Sequence, residues 1–229
     1  MKAINIIMCA FMGIVNIFWL PTVASAQEVN MQAFMEELQQ MKCDQEQMSM
    51  VWWLPNEWWE VNAKDDPTIS QAMLQQMLQA VDSYLIFVVV EGHSGAFGGF
   101  YPETRESIIS RISVVPHTGT ELKPIKDKDL SYDIQNMFSV MKPLLANVLG
   151  QMGQGMEFIA FEVPRENSSK LLEARKAGAF TVRLGSQEFK WRLPLGSLLP
   201  EKVDPKTGDT FPGNYEFNPF TGDRLQPTK

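Results

Sequence analysis

Tyr84-Leu85-Ile86-Phe87-Val88-Val89-Val90 is a run of β-branched, aromatic and aliphatic side chains with no charge and no turn former. That composition suits a pleated strand, and an unbroken apolar run, as opposed to an alternating one, predicts that both faces of the strand are covered. It belongs at the centre of a sheet, so the rest of the chain must supply its neighbours and its two covering layers. Glycines 92, 95, 98 and 99 follow and predict a loop or hairpin. Residues 107–115 alternate, with Ile108, Ile112 and Val114 facing one way and Arg111 and Ser113 the other, which predicts a strand closed by Pro116-His117-Thr118-Gly119.

Residues 156–163 read as a second central strand. Residues 179–184 and 188–193 match Phe180, Val182 and Leu184 with Phe189, Trp191 and Leu193 across a turn begun by Gly185-Ser186, so they predict a hairpin. Between the strands, residues 30 to about 50 carry Met31, Phe34, Met35, Leu38 and Met41 at three- and four-residue spacings, the pattern of an amphipathic helix. Asp65-Asp66-Pro67-Thr68 reads as the start of a second helix running to about 82, with Met73, Met77 and Val81 on one face. Residues 130–150 form the strongest helical segment, which Pro143 is expected to kink or split. A short helix is expected over 168–178, with glycine at its end. The order lacks regular βα alternation and predicts an α+β fold with a mainly antiparallel sheet.

The first 26 residues have a different character: Lys2, then an almost wholly apolar stretch from Ile4 to Leu20, then Pro21 and the small-x-small triplet Ala24-Ser25-Ala26. This is the pattern of a secretory signal peptide, so cleavage is expected between Ala26 and Gln27 and the mature chain is expected in the periplasm or outside the cell. The apolar stretch is shorter than the roughly 20 residues of a membrane span, so no stable membrane insertion is expected after leader removal. The remainder divides into an α+β domain over 27–200 and a tail over 201–229. A formal net charge of −7 gives no electrostatic reason to bind nucleic acid. Of the two cysteines, Cys9 lies in the leader, leaving Cys43 without an internal disulfide partner and read as an inert thiol near a helix end.

The tail contains a repeat: Asp204-Pro205-Lys206-Thr207-Gly208-Asp209 and, beginning again at Asn218, Asn218-Pro219-Phe220-Thr221-Gly222-Asp223. Each copy is Asx-Pro-x-Thr-Gly-Asp, which resembles the paired Cys-Pro-x-Cys-Gly knuckles of rubredoxin-like zinc ribbons. Asp204, Thr207, Asn218 and Thr221 stand where that family has its thiolates. The resemblance implies a ribbon shape, and the absent thiolates imply that no metal is held. Asx and threonine oxygens can close such turns on backbone amides, and Phe211, Tyr215, Phe217 and Phe220 are expected to fill a small core.

Candidate chemistry is sparse. Glu91, His93 and Ser94 follow the central strand and hold the residue types of a catalytic triad, with His117 as the other candidate imidazole, but neighbours in an extended chain point to opposite faces. Ser139-Val140-Met141-Lys142 and Lys206-Thr207-Gly208 match two short signatures of penicillin-binding serine enzymes, while the intervening Ser-x-Asn element is missing. The methionine pairs 31/35, 73/77, 137/141 and 152/156 offer thioethers, yet the first three fall on apolar helix faces and read as packing. Trp52, Trp53, Trp58 and Trp59 surround Pro55 and are more than one helix face buries, so they are the expected partner-binding surface. No cofactor is expected. The function these residues predict is an exported, non-catalytic protein acting through protein contacts, with an envelope hydrolase or small-ligand binder using Glu91, His93 and Ser94 as the alternative.

Overall fold

The computed structural model describes residues 29–44, 47–64, 69–95, 99–117, 119–163 and 172–228. The leader expected over 1–26, the helix start expected at 65–68 and the first part of the helix expected over 168–178 lie outside these residues. The fold is α+β. Strand β3, Tyr84–Ser94, is the axis of a five-stranded antiparallel sheet. One of its edges pairs with β2, Gln47–Trp53, which pairs in turn with β1, Gln39–Cys43. The other edge is shared by β6, Met156–Glu162, and the short β4, Phe100–Pro102. The run from Leu85 to Val90 is buried along its whole length, and each such side chain contributes about 2 kcal/mol by leaving water. Gly92 sits where β4 closes in, and a Cβ there would lie 2.4 Å from the Tyr101 carbonyl oxygen.

Cross-strand partners share a face, so the register sorts the sheet into two sides. Trp53, Phe87 and Ile159 are in line on one of them. There Trp53 and Phe87 meet Phe180, which stacks on Trp191 at 5.0 Å. These last two belong to a second, three-stranded sheet of β5, Ile112–Pro116, β7, Gly178–Leu184, and β8, Gln187–Leu193. Trp52, Val88 and Phe158 line the other side. Helices cover it: α2, Asn56–Lys64, where Trp58 meets Trp52, and α5, Tyr132–Leu149, where Phe138 stacks on Phe158 at 4.6 Å. Helix α3, Gln71–Val81, touches both α2 and α5.

Three expected elements are corrected. The helix over 30–50 is only α1, Met31–Leu38, capped by the Asn30 side chain on the Ala33 amide, after which the chain turns extended at Gln39 and forms the β1–β2 hairpin. The hairpin wins because Met50 to Trp53 pair with the central strand and are buried there, which a solvent-facing helix could not match. Cys43 is accordingly exposed at a strand end, not at a helix end. The strand over 107–115 is half helix: Thr104 caps α4, Arg105–Arg111, and β5 begins only at Ile112. Residues 172–177 are irregular chain with a turn at 174–175 and no helix, and Gly178 already belongs to β7. Pro143 does not split α5, which runs continuously for 18 residues; the carbonyl deprived of a helical donor is that of Ser139, on the exposed side. Among the described residues no helix is long and apolar enough to cross a membrane.

Candidate functional site

Glu91 is 1 % exposed, a placement that a carboxylate tolerates only when paired and hydrogen-bonded. The partners come from α4, whose cap and length project Arg111 back onto β3. Arg111 donates through Nη1 to Oε1 at 3.1 Å and through Nη2 to Oε2 at 2.9 Å, and Gln47 Nε2 donates to Oε1 at 2.7 Å. Ser107 Oγ accepts from Arg111 and donates to Glu103. This is a staple between β3, β2 and α4. His93 and Ser94 are exposed at the strand end, where the His93 ring stacks on Tyr101 at 5.5 Å. Among the described residues no hydrogen bond joins Glu91, His93 and Ser94, so the structure does not assemble them as a triad.

The four indoles are inside, which corrects their reading as an exposed contact surface. Trp52, Trp53, Trp58 and Trp59 are each at most 4 % exposed. Residues 52 and 53 alternate across β2, sending one ring to each side of the sheet, while the turn at Leu54-Pro55 starts α2 and brings Trp58 edge-on to both Trp52 and Trp59. The indole N–H groups of Trp52, Trp58 and Trp59 have no oxygen acceptor. Perpendicular ring pairs are the geometry that sets an indole edge against a π-face, a partial substitute. Beneath this clamp Glu57, Glu60, Asp82, Glu173 and Arg175 line a cavity of about 290 Å³. Burial, followed by repulsion from Glu60, raises the Glu57 pKa above the ordinary carboxylate value.

Ser139 and Lys142 share a second cavity of about 310 Å³ with Arg105, Asp127 and Glu157. Lys142 Nζ donates to Glu157 Oε1 at 2.8 Å, and Arg105 bridges Asp127 and Glu157. Each cation here is already paired. Lys206 is engaged with Asp223 in the tail, so the two short serine-enzyme signatures do not meet.

In the tail the two repeats close as equivalent turns. Asp204 Oδ1 accepts from the amides of Lys206 and Thr207, and Asn218 Oδ1 accepts from those of Phe220 and Thr221. Gly208 and Gly222 take φ of 80° and 76°, and their amides donate to the Asp204 and Asn218 carbonyls at 2.9 Å. The turns face each other, and Asn218 Nδ2 donates to Asp204 Oδ2 at 2.6 Å, both residues being buried. An amide donor now points where a ribbon's metal would sit, so this donor set does not fit zinc. The aromatic core is corrected: Tyr215, Phe217 and Phe220 are exposed, Phe220 by 88 %, and the inward positions belong to Asp204, Asn218 and Leu225. Strand β9, Lys202–Val203, pairs with β10, Thr210–Phe211, and β11, Gln226–Pro227. Glu37 of α1 ties the preceding turn by accepting from the Gly196 and Ser197 amides and the Ser197 hydroxyl.

What remains unsatisfied is the outer face of the helical layer. Along α5, Val140, Leu144 and Val148 are spaced by four and are 64 %, 62 % and 79 % exposed. Asn136, Ser139, Pro143 and Asn147 flank them, also exposed. Beside them α3 presents Gln71, Ala72, Met73, Gln75, Gln76 and Gln79, with Met73 54 % exposed. Helix α3 has no charged residue, and α5 has only Asp133 and Lys142, the latter paired beneath the helix with Glu157. The other methionines of the predicted pairs pack in the core, as Met156 does, or against it, at 35, 77, 137, 141 and 152, whereas Met31 and Met73 are exposed. Comparison with protein-family models, with curated proteins and with solved structures finds no match to this chain.

Proposed function

We propose that this protein is exported and non-catalytic, and that it works by binding another protein chain through the outer face of α3 and α5. The observation that carries this reading is the combination of exposed aliphatic residues and missing charge on that face. Contiguous exposed apolar surface is uncommon in proteins that stay alone, and depletion of charge is what marks the core of a protein–protein interface. In a chain with 47 charged side chains in 229 residues, two adjacent helices that leave only Asp133 on their outer face are a marked exception. The polar flank of glutamine, asparagine and serine supplies the neutral hydrogen-bonding rim that such a surface uses.

Export rests on the sequence pattern of residues 1–26, and N-terminal sequencing of the protein recovered from the exported fraction is expected to begin at Gln27. The contact surface is tested by placing a photo-activatable amino acid at Leu144 and, as control, at Lys123, which is exposed and belongs to neither helix of this face. A discrete cross-linked protein from position 144 and none from position 123 supports the reading. No product from 144 in producing cells contradicts it.

A further inference from the structure

Resting on that reading of the α3 and α5 face, we propose that the chain it binds is a second copy of this protein, with the two α5 helices crossing antiparallel about a two-fold axis at Leu144. The stripe matches itself. Val140, Leu144 and Val148 read the same in both directions, so an antiparallel crossing at Leu144 sets Leu144 against its own counterpart and Val140 against Val148 of the second copy. A two-fold interface demands such self-complementarity of one surface patch. Residues four apart form the ridge used in the commonest helix–helix packing, with axes crossing at about −50°.

Charge favours the same occupant. The protein carries a formal net charge of −7, so two copies repel across most of their surface and can approach closely only where charge is missing. This face is such a place. Its one carboxylate, Asp133, lies eleven residues before Leu144, about 16 Å along the axis, and an antiparallel crossing sends the two copies of Asp133 to opposite ends. A basic peptide would find no acidic row to bind here, and an anionic membrane no free lysine or arginine. Area sets the strength. Helix α5 is about 27 Å long, and with α3 beside it each copy offers a patch on the order of 500 Å² in plan, below the roughly 800 Å² per partner of a standard interface. The association is therefore of the weak, concentration-dependent class.

Sedimentation of the mature protein across the micromolar range tests this. The expected result is a weight-average mass that climbs from monomer toward dimer with concentration. Leu144→Glu places two carboxylates at the axis and weakens association about tenfold or more, while the unfolding midpoint stays put because Leu144 is exposed. In a Cys43→Ser background, Leu144→Cys gives a disulfide-linked dimer on oxidation. Val140→Cys alone gives far less, and Val140→Cys mixed with Val148→Cys restores it. A monomer at every concentration, a dimer indifferent to Leu144→Glu, or equal linking by Val140→Cys alone overturns the proposal. If position 144 cross-links to a different protein in cells while the purified chain stays monomeric, the contact-surface reading survives and self-association fails; if neither experiment gives a product, both fail.

Discussion

Glu91 shows how a side chain that looks chemical in a sequence becomes structural in a fold. It follows an apolar strand and precedes a histidine and a serine, yet Arg111 and Gln47 take both of its oxygens. The sequence contains no hint of this staple, because α4 must first exist to deliver Arg111. Arg111→Met leaves the carboxylate buried with Gln47 as its one remaining donor from another strand, and is expected to cost about 3 kcal/mol in chemical denaturation. Glu91→Gln in the same background recovers part of that loss; unchanged stability in the single variant contradicts the assignment. Glu57 behaves in the opposite sense. Burial raises its pKa in the folded state, so its ionised form costs stability at neutral pH, and the cost is relieved as pH falls through the folded value. Glu57→Gln is expected to raise the melting temperature at pH 7 and to have little effect in acid.

Among the elements, those with a single clear period were legible: the unbroken run of β3, the matched alternation of β7 and β8, and the length of α5. The misreadings have one physical origin. Ile108 and Ile112 are four apart, a spacing that is one helical face and also an even step along a strand. Local pattern could not choose, and the Thr104 cap decided. At 39–43 the edge strand is polar and short of β-formers, and it is held from outside: Gln40 donates to the Lys190 carbonyl and accepts from its amide. In the tail, the turn chemistry was legible from Asx-Pro-x-Thr-Gly-Asp, but a ribbon this small has no interior for aromatic rings, and a polar pair fills the centre. Asn218, then the Lys206 amide, holds the Asp204 pKa below the ordinary carboxylate range. Its stabilising effect is thus complete above that range and is lost as pH falls through the folded value. Amide exchange at Gly208 and Gly222, measured against the intrinsic rate at each pH, is expected to become fast in acid before exchange in β3 does. In Asn218→Ala it is expected to be fast at neutral pH as well; protection there that is independent of both acid and Asn218 contradicts the pairing.

At the scale of the whole molecule, a central sheet lies between an aromatic-lined second sheet and a layer of helices, and the tryptophans that looked like a binding surface are part of that sandwich. The α3 and α5 face was not legible because apolar residues in α5 occur on more than one side, and periodicity alone marks a helix without saying which side is covered. Only the structure separates Ile134, buried, from Val140, Leu144 and Val148, exposed. The central claim is that another chain covers this face where the protein works. Hydroxyl-radical footprinting, comparing the protein in its producing cells with the purified protein at high dilution, tests it most directly. The expected result is reduced labelling of Met73, Val140, Leu144 and Val148 in the cells, with Phe217 and Phe220 of the tail labelled equally in both. Equal labelling of the α5 stripe in the two samples would contradict the account.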